Sequence, residues 1–286
     1  MNQLKLFVHL TRLNKPIGFM LLFWPCSWGL AFAFELDKDI NHFLFFLLLF
    51  FLGSILMRSA GCIFNDIVDE KIDKKVKRTK NRPIASAKVS KQRAFFYVTV
   101  LCSFAFLILI QFNKLTIALG VASMILAFSY PFMKRITYWP QLFLGLTFNW
   151  GILMGWVALM NYISFDIVLL YLSAIFWTLG YDTIYGAQDL TDDEIIGNKS
   201  TAIKFKKNIK IFVSLCYLIS SIIIIFLFYS KMQLNFKTSP FILFFISLFY
   251  QLILFDKNNP SKCLQCFKIN NWSGLFLFTG ILGFTF

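Results

Sequence analysis

The sequence is short of charged residues. Charged side chains make up 15% of the 286 residues, and hydrophobic ones make up 58%, whereas about a quarter of a soluble domain is charged. Such a chain is not an ordinary soluble enzyme. It is not an intrinsically disordered protein either, because disorder requires low hydrophobicity. The composition is typical of a protein that crosses a membrane several times.

Residues that bind soft metals are also scarce. The two histidines stand alone near the ends of apolar segments, and the six cysteines form no regular framework. Cys263 and Cys266 are spaced like half of a zinc site, but no second pair and no histidine lies near them in sequence. We therefore predict neither a zinc site nor a disulfide scaffold.

Acidic residues are half as numerous as basic ones, and the net charge is +14. An excess of Lys and Arg is also found in nucleic-acid-binding proteins, but here the basic residues lie in short loops between apolar segments. With the N-terminus in the cytoplasm, 23 of the 28 Lys and Arg residues lie on the cytoplasmic side and 4 on the opposite side. This bias is a membrane-topology signal, and we predict no nucleic-acid partner.

Apolar segments of about 20 residues, enough to cross a bilayer as a helix, recur along the chain. They lie at 16–36, 42–64, 94–112, 115–133, 142–161, 165–187, 209–230, 238–256 and 271–286. The alternating pattern of a membrane barrel is missing, so helices are the structure that satisfies the backbone in lipid. The sequence predicts one all-α membrane domain over 1–286, with about nine transmembrane helices.

Nine of the 14 acidic residues lie in two short windows, each at the cytoplasmic end of an apolar segment. The windows share a four-residue spacing, and residues four apart lie on one face of a helix. The first stripe is Asn65, Asp69 and Asp73, and the second is Tyr185, Asp189 and Asp193. Their matching positions indicate an internal duplication of the bundle.

Clustered carboxylates at a membrane surface repel one another unless a cation lies between them. Oxygen ligands without His or Cys favour Mg²⁺, which binds through few carboxylates and takes further oxygens from water and phosphate. The two stripes therefore predict a Mg²⁺ site that holds a diphosphate. We interpret Glu70 and Glu194 as solvated loop charges and not as members of this site.

Basic residues follow both acidic windows. They could neutralise the negative charge that a diphosphate keeps when Mg²⁺ is bound to it. We select Arg78, Arg82 and Lys199 for this role and leave Lys74, Lys75 and Lys80 to the topology signal. Arg58 lies inside an apolar segment, where an unpaired charge is costly, so we expect it to face the cavity. Asn149 lies in the middle of another segment and is a further candidate for the cavity wall.

Together these stretches resemble the UbiA superfamily of intramembrane prenyltransferases. The likeness covers nearly the whole chain and is closest to members that prenylate 4-hydroxybenzoate in ubiquinone synthesis. It is carried by the stretches 12–18, 58–66, 78–79, 81–83, 129–135, 139–141, 148–151, 181–185, 188–189, 192–193 and 197–202, together with Asp69 and Asp73. Positions 186–187 and 190–191 are less typical of these members.

The resemblance implies that nine transmembrane helices surround a central cavity. It also implies Mg²⁺ dependence and a lateral opening for a lipid tail. By motif position it implies that Mg²⁺ is held by Asn65, Asp69, Asp189 and Asp193. It also implies catalytic roles, which we assign to Asp69, Asp73, Asp189, Asp193, Arg135 and Asp182. The predicted substrate-binding residues are Arg58, Arg78, Arg82, Lys134, Lys199, Tyr185 and Asn149.

The expected reaction transfers a polyprenyl group from its diphosphate to the 3-position of 4-hydroxybenzoate, in a bilayer and without an obligatory protein partner. The expected location is the inner membrane of a bacterium, with the acidic loops cytoplasmic. Asp182 either orients the phenol or accepts the ring proton, and Arg135 binds either the benzoate carboxylate or the diphosphate. The alternatives are another acceptor (homogentisate, a naphthoate or haem) and, from another class, a cation transporter. Prenyl chain length and oligomeric state stay open.

Overall fold

The structure is a computed structural model that describes residues 3–76, 78–232 and 236–284. Helices dominate it, and no β-strand occurs in these residues, so the predicted all-α architecture is confirmed. The α-helices are α1 (Gln3–Thr11), α2 (Ile17–Asp37), α3 (Ile40–Asp73), α4 (Lys91–Leu109), α5 (Lys114–Ile136), α6 (Pro140–Met160), α7 (Phe165–Gly186), α8 (Leu190–Ile196), α9 (Thr201–Lys204), α10 (Ile209–Phe228), α11 (Ser239–Leu254) and α12 (Pro260–Gly283).

The long helices α2–α7 and α10–α12 correspond to the nine predicted spans. Of these, eight are long and apolar enough to cross a membrane, counted over the described ranges. The ninth, α12, begins at Pro260 and not near position 271 as predicted. Its first half carries Lys262, Lys268 and Asn270. Because those polar residues interrupt the apolar pattern, hydropathy alone placed the start of this helix too late.

Short polar side chains fix where the helices begin. Asp39 accepts hydrogen bonds from the backbone N–H groups of Asn41 at 2.9 Å and His42 at 3.2 Å, which satisfies donors that the first turn of α3 leaves free. Equivalent capping bonds are made by Ser90, Asn113, Ser164, Ser200 and Asn259. The turns between spans are therefore encoded locally.

The two acidic windows differ in secondary structure. Helix α3 continues past the predicted end at position 64 as far as Asp73, so the first stripe lies on one helix, as predicted. The second stripe does not: α7 ends at Gly186, a 3-10 turn spans Ala187–Asp189, and α8 begins at Leu190. Gly186 lacks the side chain that favours a continuing helix, and a Cβ there would lie 3.2 Å from the Gln141 Nε2 atom. The expectation that Tyr185, Asp189 and Asp193 share one helix face is therefore wrong.

Helices α2, α6 and α7 form the interior of the bundle, and α4 and α5 lie at its edge. About 72% of the apolar stretch of α2 is buried, against 11% for α4. Glycine lets α2 and α6 approach closely, since a Cβ on Gly155 would overlap the backbone carbonyl of Cys26 and lie 2.8 Å from the Leu30 nitrogen. Small residues at a helix interface permit such a close crossing in membrane bundles.

A buried polar network joins α7 to α10, α11 and α12. The Trp177 indole donates to Asn270 Oδ1 at 2.9 Å, the Asn270 amide donates to Gln251 Oε1 at 3.0 Å, and the Tyr217 hydroxyl donates to the same oxygen at 2.7 Å. These four residues come from α7, α12, α11 and α10. Because each bond is shielded from water, the network holds in place the helix that leads to the second acidic window.

We expect Gly155→Ala to lower the stability of the folded bundle by about 1–3 kcal/mol, because overpacking forces α2 and α6 apart. The measurement is the midpoint of thermal unfolding of the purified protein in detergent. The matched control is Gly53→Ala in α3, where a Cβ meets no atom within 4 Å. Equal midpoints for the two variants would contradict the close crossing.

Candidate active site

A cavity of about 810 Å³ opens between α2, α3, α4, α5 and α6. Its wall is almost entirely apolar, with long stretches of α4 and α5 facing α3 and α6. Polar side chains gather at one end, where Arg58, Asn65 and Tyr130 line it. The cavity is thus an apolar channel with one polar end. That end lies on the side of the bundle that the distribution of Lys and Arg assigns to the cytoplasm.

The first acidic stripe lies at this polar end. Asp69 and Asp73 on α3 are only 1% and 4% exposed, so their charges are held away from water. Asn65 lines the cavity, and its side-chain oxygen is buried with no hydrogen-bond partner in the described part of the chain. An orphaned buried acceptor is costly in a protein interior, and this oxygen is free to accept a bond from, or to ligate, a group bound in the cavity.

Asp69 is neutralised by the end of α5. Its carboxylate forms an ion pair with the Lys134 ammonium group, and the Arg135 guanidinium lies 3.2 Å from its second oxygen. Arg135 also donates to the backbone carbonyl of Val68 at 2.8 Å. Lys134 and Arg135 therefore lie at the acidic cluster and not deep in the cavity.

Asp66 and Asp73 are neutralised by arginines from two loops. Arg82 bonds Asp66 at 3.0 Å and Asp73 at 2.8 Å, and Arg12 bonds Asp66 at 2.6 Å. Burial would lower the pKa of Arg12, but the neighbouring Cys62 and the two carboxylates raise it above its ordinary value, so Arg12 stays charged. The paired role of Arg12 and Asp66 was not predicted, because nothing in their spacing joins residues 54 positions apart.

The second acidic window meets the first through Arg78. Its guanidinium binds Asp189 with two hydrogen bonds, 2.7 Å to one oxygen and 2.5 Å to the other. Asp193 accepts a bond of 2.8 Å from the Asn198 amide and lies within electrostatic range of Lys134. The loop after α3 is therefore tied to the turn after α7, and Asp193 lies near the lysine that pairs with Asp69.

Two other predicted site residues lie at the edge of this cluster. The Tyr185 ring packs on Phe267 with centroids 4.4 Å apart. Lys199 donates to the Ile136 carbonyl at 3.1 Å, and its ammonium group lies 5.6 Å from the centre of the Tyr138 ring. Glu70 and Glu194 form surface ion pairs with lysines, as expected of loop charges.

Arg58 lines the cavity two turns before Asn65 on α3. The guanidinium of Arg58 lies over the ring of Phe148, 5.2 Å from its centre, and its Nε atom is buried without a hydrogen-bond partner among the described residues. Asp182 and Tyr130 are within electrostatic range of it. These side chains form a second polar patch beyond the acidic cluster.

Asn149 does not line the cavity, contrary to its selection as a substrate-binding residue. It is fully buried between α6 and α7, where its amide donates to the Ala174 carbonyl at 3.1 Å and to the Thr178 hydroxyl at 2.8 Å. The amide N–H groups of this mid-helix residue are thus satisfied by a neighbouring helix, while its Oδ1 atom is buried with no hydrogen-bond partner among the described residues. Its role in this structure is to join α6 to α7.

The acidic cluster suits a metal that brings ligands of its own. Over the described residues, no three His, Cys, Asp or Glu side chains converge tightly enough to hold an ion by themselves. Mg²⁺ does not need such a cage, because it retains waters and binds phosphate oxygens. The unpartnered Asn65 oxygen, one turn from Asp69 on α3, fits a metal that takes its remaining ligands from water and phosphate.

Comparison with known proteins places this chain among intramembrane prenyltransferases. Residues 22–275 match the UbiA prenyltransferase family. A mitochondrial 4-hydroxybenzoate polyprenyltransferase of Caenorhabditis elegans is 40% identical over 99% of this chain and 79% of its own length. The Homo sapiens protein of that name is 41% identical over 96% of this chain and 74% of its own length.

Solved structures share the fold at lower identity. A UbiA homologue from Aeropyrum pernix superposes with a TM-score of 0.76 at 20% identity, over 92% of this chain and 96% of its own. A UbiA homologue from Archaeoglobus fulgidus, solved with GPP and Mg²⁺, gives a TM-score of 0.73 at 17% identity, over 97% of this chain and 99% of its own. The fold predicted from the sequence is thus confirmed.

We expect Arg78→Gln to speed amide hydrogen exchange in residues 187–200 severalfold, because it removes the two bonds that tie this loop to the loop after α3. The effect is modest because Arg78 is 45% exposed and solvent screens the pair. Exchange is followed by mass spectrometry on the protein in detergent. Lys75→Gln, an exposed neighbour in the same loop, serves as control, and equal exchange in both variants would contradict the tie.

Proposed function

The chain belongs to the UbiA prenyltransferase family, and we propose that it transfers a polyprenyl group from polyprenyl diphosphate to the 3-position of 4-hydroxybenzoate in ubiquinone synthesis. The observation that carries the proposal is the junction of a charged cluster with a long apolar cavity inside a membrane bundle. Relatives about 40% identical along nearly the whole chain bear the name of this activity.

The two ends of the donor substrate match the two parts of the site. A prenyl tail suits the apolar wall, and a diphosphate suits the cations at the polar end: Arg78, Arg82, Lys134, Arg135 and Lys199. Asn65, Asp69, Asp189 and Asp193 would hold Mg²⁺, which when bound adds positive charge that stabilises the leaving diphosphate. Asp73 stays paired with Arg82 and helps to keep that arginine in place.

The chain's residues also account for the carbon chemistry. Breaking the bond between C1 and the diphosphate oxygen leaves an allylic cation, and the apolar cavity keeps water from trapping it. The ring carbon ortho to the phenol oxygen attacks C1, and a ring proton then leaves to restore aromaticity. In this proposal Asp182 orients the phenol or accepts that proton, which its proximity to Arg58 supports.

The position of Arg58 supports binding of the benzoate carboxylate there. Arg135 is engaged by Asp69 and Val68, whereas the Nε atom of Arg58 is buried and unpaired in the described structure. A carboxylate is the ligand that pairs best with a guanidinium group. We therefore assign acceptor recognition to Arg58 and diphosphate binding to Arg135, two roles that the sequence left open.

A cation transporter is a weaker alternative. Transport sites lie near the bilayer midplane between broken helices, but the carboxylates here lie at the cytoplasmic ends of the helices and already carry ion pairs. Location in an integral membrane follows from the apolar helices. Relatives are named as mitochondrial, so the expected bacterial inner membrane gains no support from them and stays a prediction.

The direct test is product formation in isolated membranes, using labelled 4-hydroxybenzoate and a polyprenyl diphosphate with Mg²⁺ or with EDTA. We expect prenylated benzoate with Mg²⁺ and none with EDTA. Asp69→Ala and Asp189→Ala should each lower turnover at least about 100-fold, since each removes a metal ligand. Glu194→Ala, which loses only a surface ion pair, should keep it, and substantial activity of either Asp variant at equal protein level would sink the metal assignment.

Arg58→Gln should raise the KM for 4-hydroxybenzoate by about tenfold or more, because a charged hydrogen bond contributes about 1.5–3 kcal/mol. The KM for the diphosphate should change little. Wild-type enzyme should also prefer 4-hydroxybenzoate to its uncharged amide, and the variant should lose that preference. A preserved preference in the variant would assign the carboxylate to another residue.

A further inference from the structure

Lysines collect where α10 begins and α11 ends, on the side of the bundle that the distribution of Lys and Arg assigns to the cytoplasm. Lys204, Lys206, Lys207 and Lys210 stand close together at the start of α10, and Lys257 follows the end of α11. All five are exposed. The two segments meet, because the Lys257 ammonium group donates to the backbone carbonyl of Lys206 at 3.4 Å. They therefore form one basic surface.

Most of the charge on this surface is not neutralised by the protein. Two acidic residues near it are taken by other lysines: Glu194 pairs with Lys206 at 2.7 Å, and Asp256 lies 3.8 Å from Lys262. Three ammonium groups have no carboxylate within ion-pair distance in the part of the chain that the structure describes, namely those of Lys207, Lys210 and Lys257. The surface therefore keeps a net positive charge that an anion from outside the chain can meet.

Neither helix stability nor topology accounts for these lysines. The N-terminus of a helix carries partial positive charge, so a lysine there lowers the stability of the helix. Lys207 precedes the first turn of α10 and Lys210 lies in it, while no acidic residue occurs in that turn. The topology signal does not require them either, since the bias of 23 to 4 hardly changes without them. A bound anion would offset the repulsion.

Apolar surface continues from the lysines into the membrane. Residues three and four apart share one face of a helix. On α10 such a face is more than half exposed at Ile211, Leu215, Leu218 and Ile222. On α11 another is more than half exposed at Ile246, Tyr250 and Ile253. The two helices are joined by the bond of 2.7 Å from the Tyr217 hydroxyl to Gln251 Oε1. Neighbouring helices thus present two apolar stripes that lead up to the same basic surface.

We propose that the start of α10 and the end of α11 form a binding surface for an anionic phospholipid. Its phosphate lies among Lys207, Lys210 and Lys257, and its acyl chains lie along the two apolar stripes. Each lysine attracts a headgroup of net negative charge, whereas a zwitterionic headgroup brings a cation to a surface that is already positive. The inference goes beyond the proposed function and does not depend on it.

A lipid bound here would also stabilise the neighbouring part of the protein. Lys206 lies in the same loop and joins it to α8 through Glu194, and α8 carries Asp193 of the second acidic window. A ligand that binds only the folded protein raises the midpoint of unfolding. Binding should therefore be visible both as retained lipid and as a higher unfolding temperature.

The test uses the full-length protein, stripped of lipid in detergent and titrated with dioleoyl phosphatidylglycerol or dioleoyl phosphatidylcholine. Mass spectrometry of the intact folded protein counts bound lipids and gives the Kd of the first. We expect phosphatidylglycerol to bind at least about tenfold more tightly than phosphatidylcholine and to raise the Tm. Inorganic phosphate at the same concentration should leave the Tm unchanged, because it has no acyl chains to place on the stripes.

Three triple variants separate this surface from general charge. Changing the three unpaired lysines to Gln should lower the affinity for phosphatidylglycerol at least about tenfold and abolish the rise in Tm. Changing the same three to Arg keeps the charge and should preserve both. The matched control removes equal charge from the loop after α3 on the same side of the membrane, through three exposed lysines changed to Gln: Lys75, Lys80 and Lys88. This control should bind the lipid as wild type does.

Equal affinity of the wild-type protein for the two lipids would overturn the proposal. An equal loss of binding in the two Gln triples would show that only net charge matters and would overturn the assignment to this surface. If the Arg triple loses binding as well, the charge of these side chains does not hold the lipid, and the proposal falls. A rise in Tm with inorganic phosphate as large as that with phosphatidylglycerol would overturn the role of the apolar stripes.

Discussion

Burial of acidic side chains at the membrane surface is the constraint on which the arrangement of the molecule depends. A carboxylate within a membrane helix costs about 2.5–3.5 kcal/mol, and Asp66, Asp69 and Asp73 are nearly inaccessible. Each is matched by Lys or Arg from an element distant in sequence: the end of α1, the end of α5 or the loop after α3. Removing one partner of a buried pair costs about 3–5 kcal/mol, so these pairs hold the cytoplasmic ends together where packing alone would not.

Under the proposed function, the same ion pairs determine how a ligand can bind. In the free protein, Asp69 and Asp189 are occupied by Lys134, Arg135 and Arg78. A metal that binds these carboxylates must release the cations, and a diphosphate is the ligand that takes up the released charge. Metal and diphosphate therefore favour each other's binding by linkage. Neither gains much alone, which protects the site from binding stray metal or free phosphate.

Sequence patterns predicted what depends on local chemistry and missed what depends on distant contacts. The all-α architecture and the stripe of Asn65, Asp69 and Asp73 on one helix follow from the apolar segments and the four-residue spacing, and the structure has them. The break at Gly186 arises from contact with α6, and Asn149 found a partner on α7, so no local pattern revealed either. The sequence identified Arg12 only as a basic residue before an apolar segment. Its pairing could not be predicted, because its partner Asp66 lies 54 positions away.

The contrast between the two sides of the bundle explains how one fold serves different acceptors and donors. Helices α7 and α10–α12 are joined by buried hydrogen bonds and hold the second acidic window still, whereas α4 and α5 face lipid and barely touch. The solved structures keep the fold at 17–20% identity, so the scaffold needs few particular residues. Selectivity must then come from the few side chains that point into the cavity. Arg58 is one such side chain, and under the proposed function it binds the acceptor. It can change without disturbing the ion pairs of the acidic cluster, because it takes part in none of them.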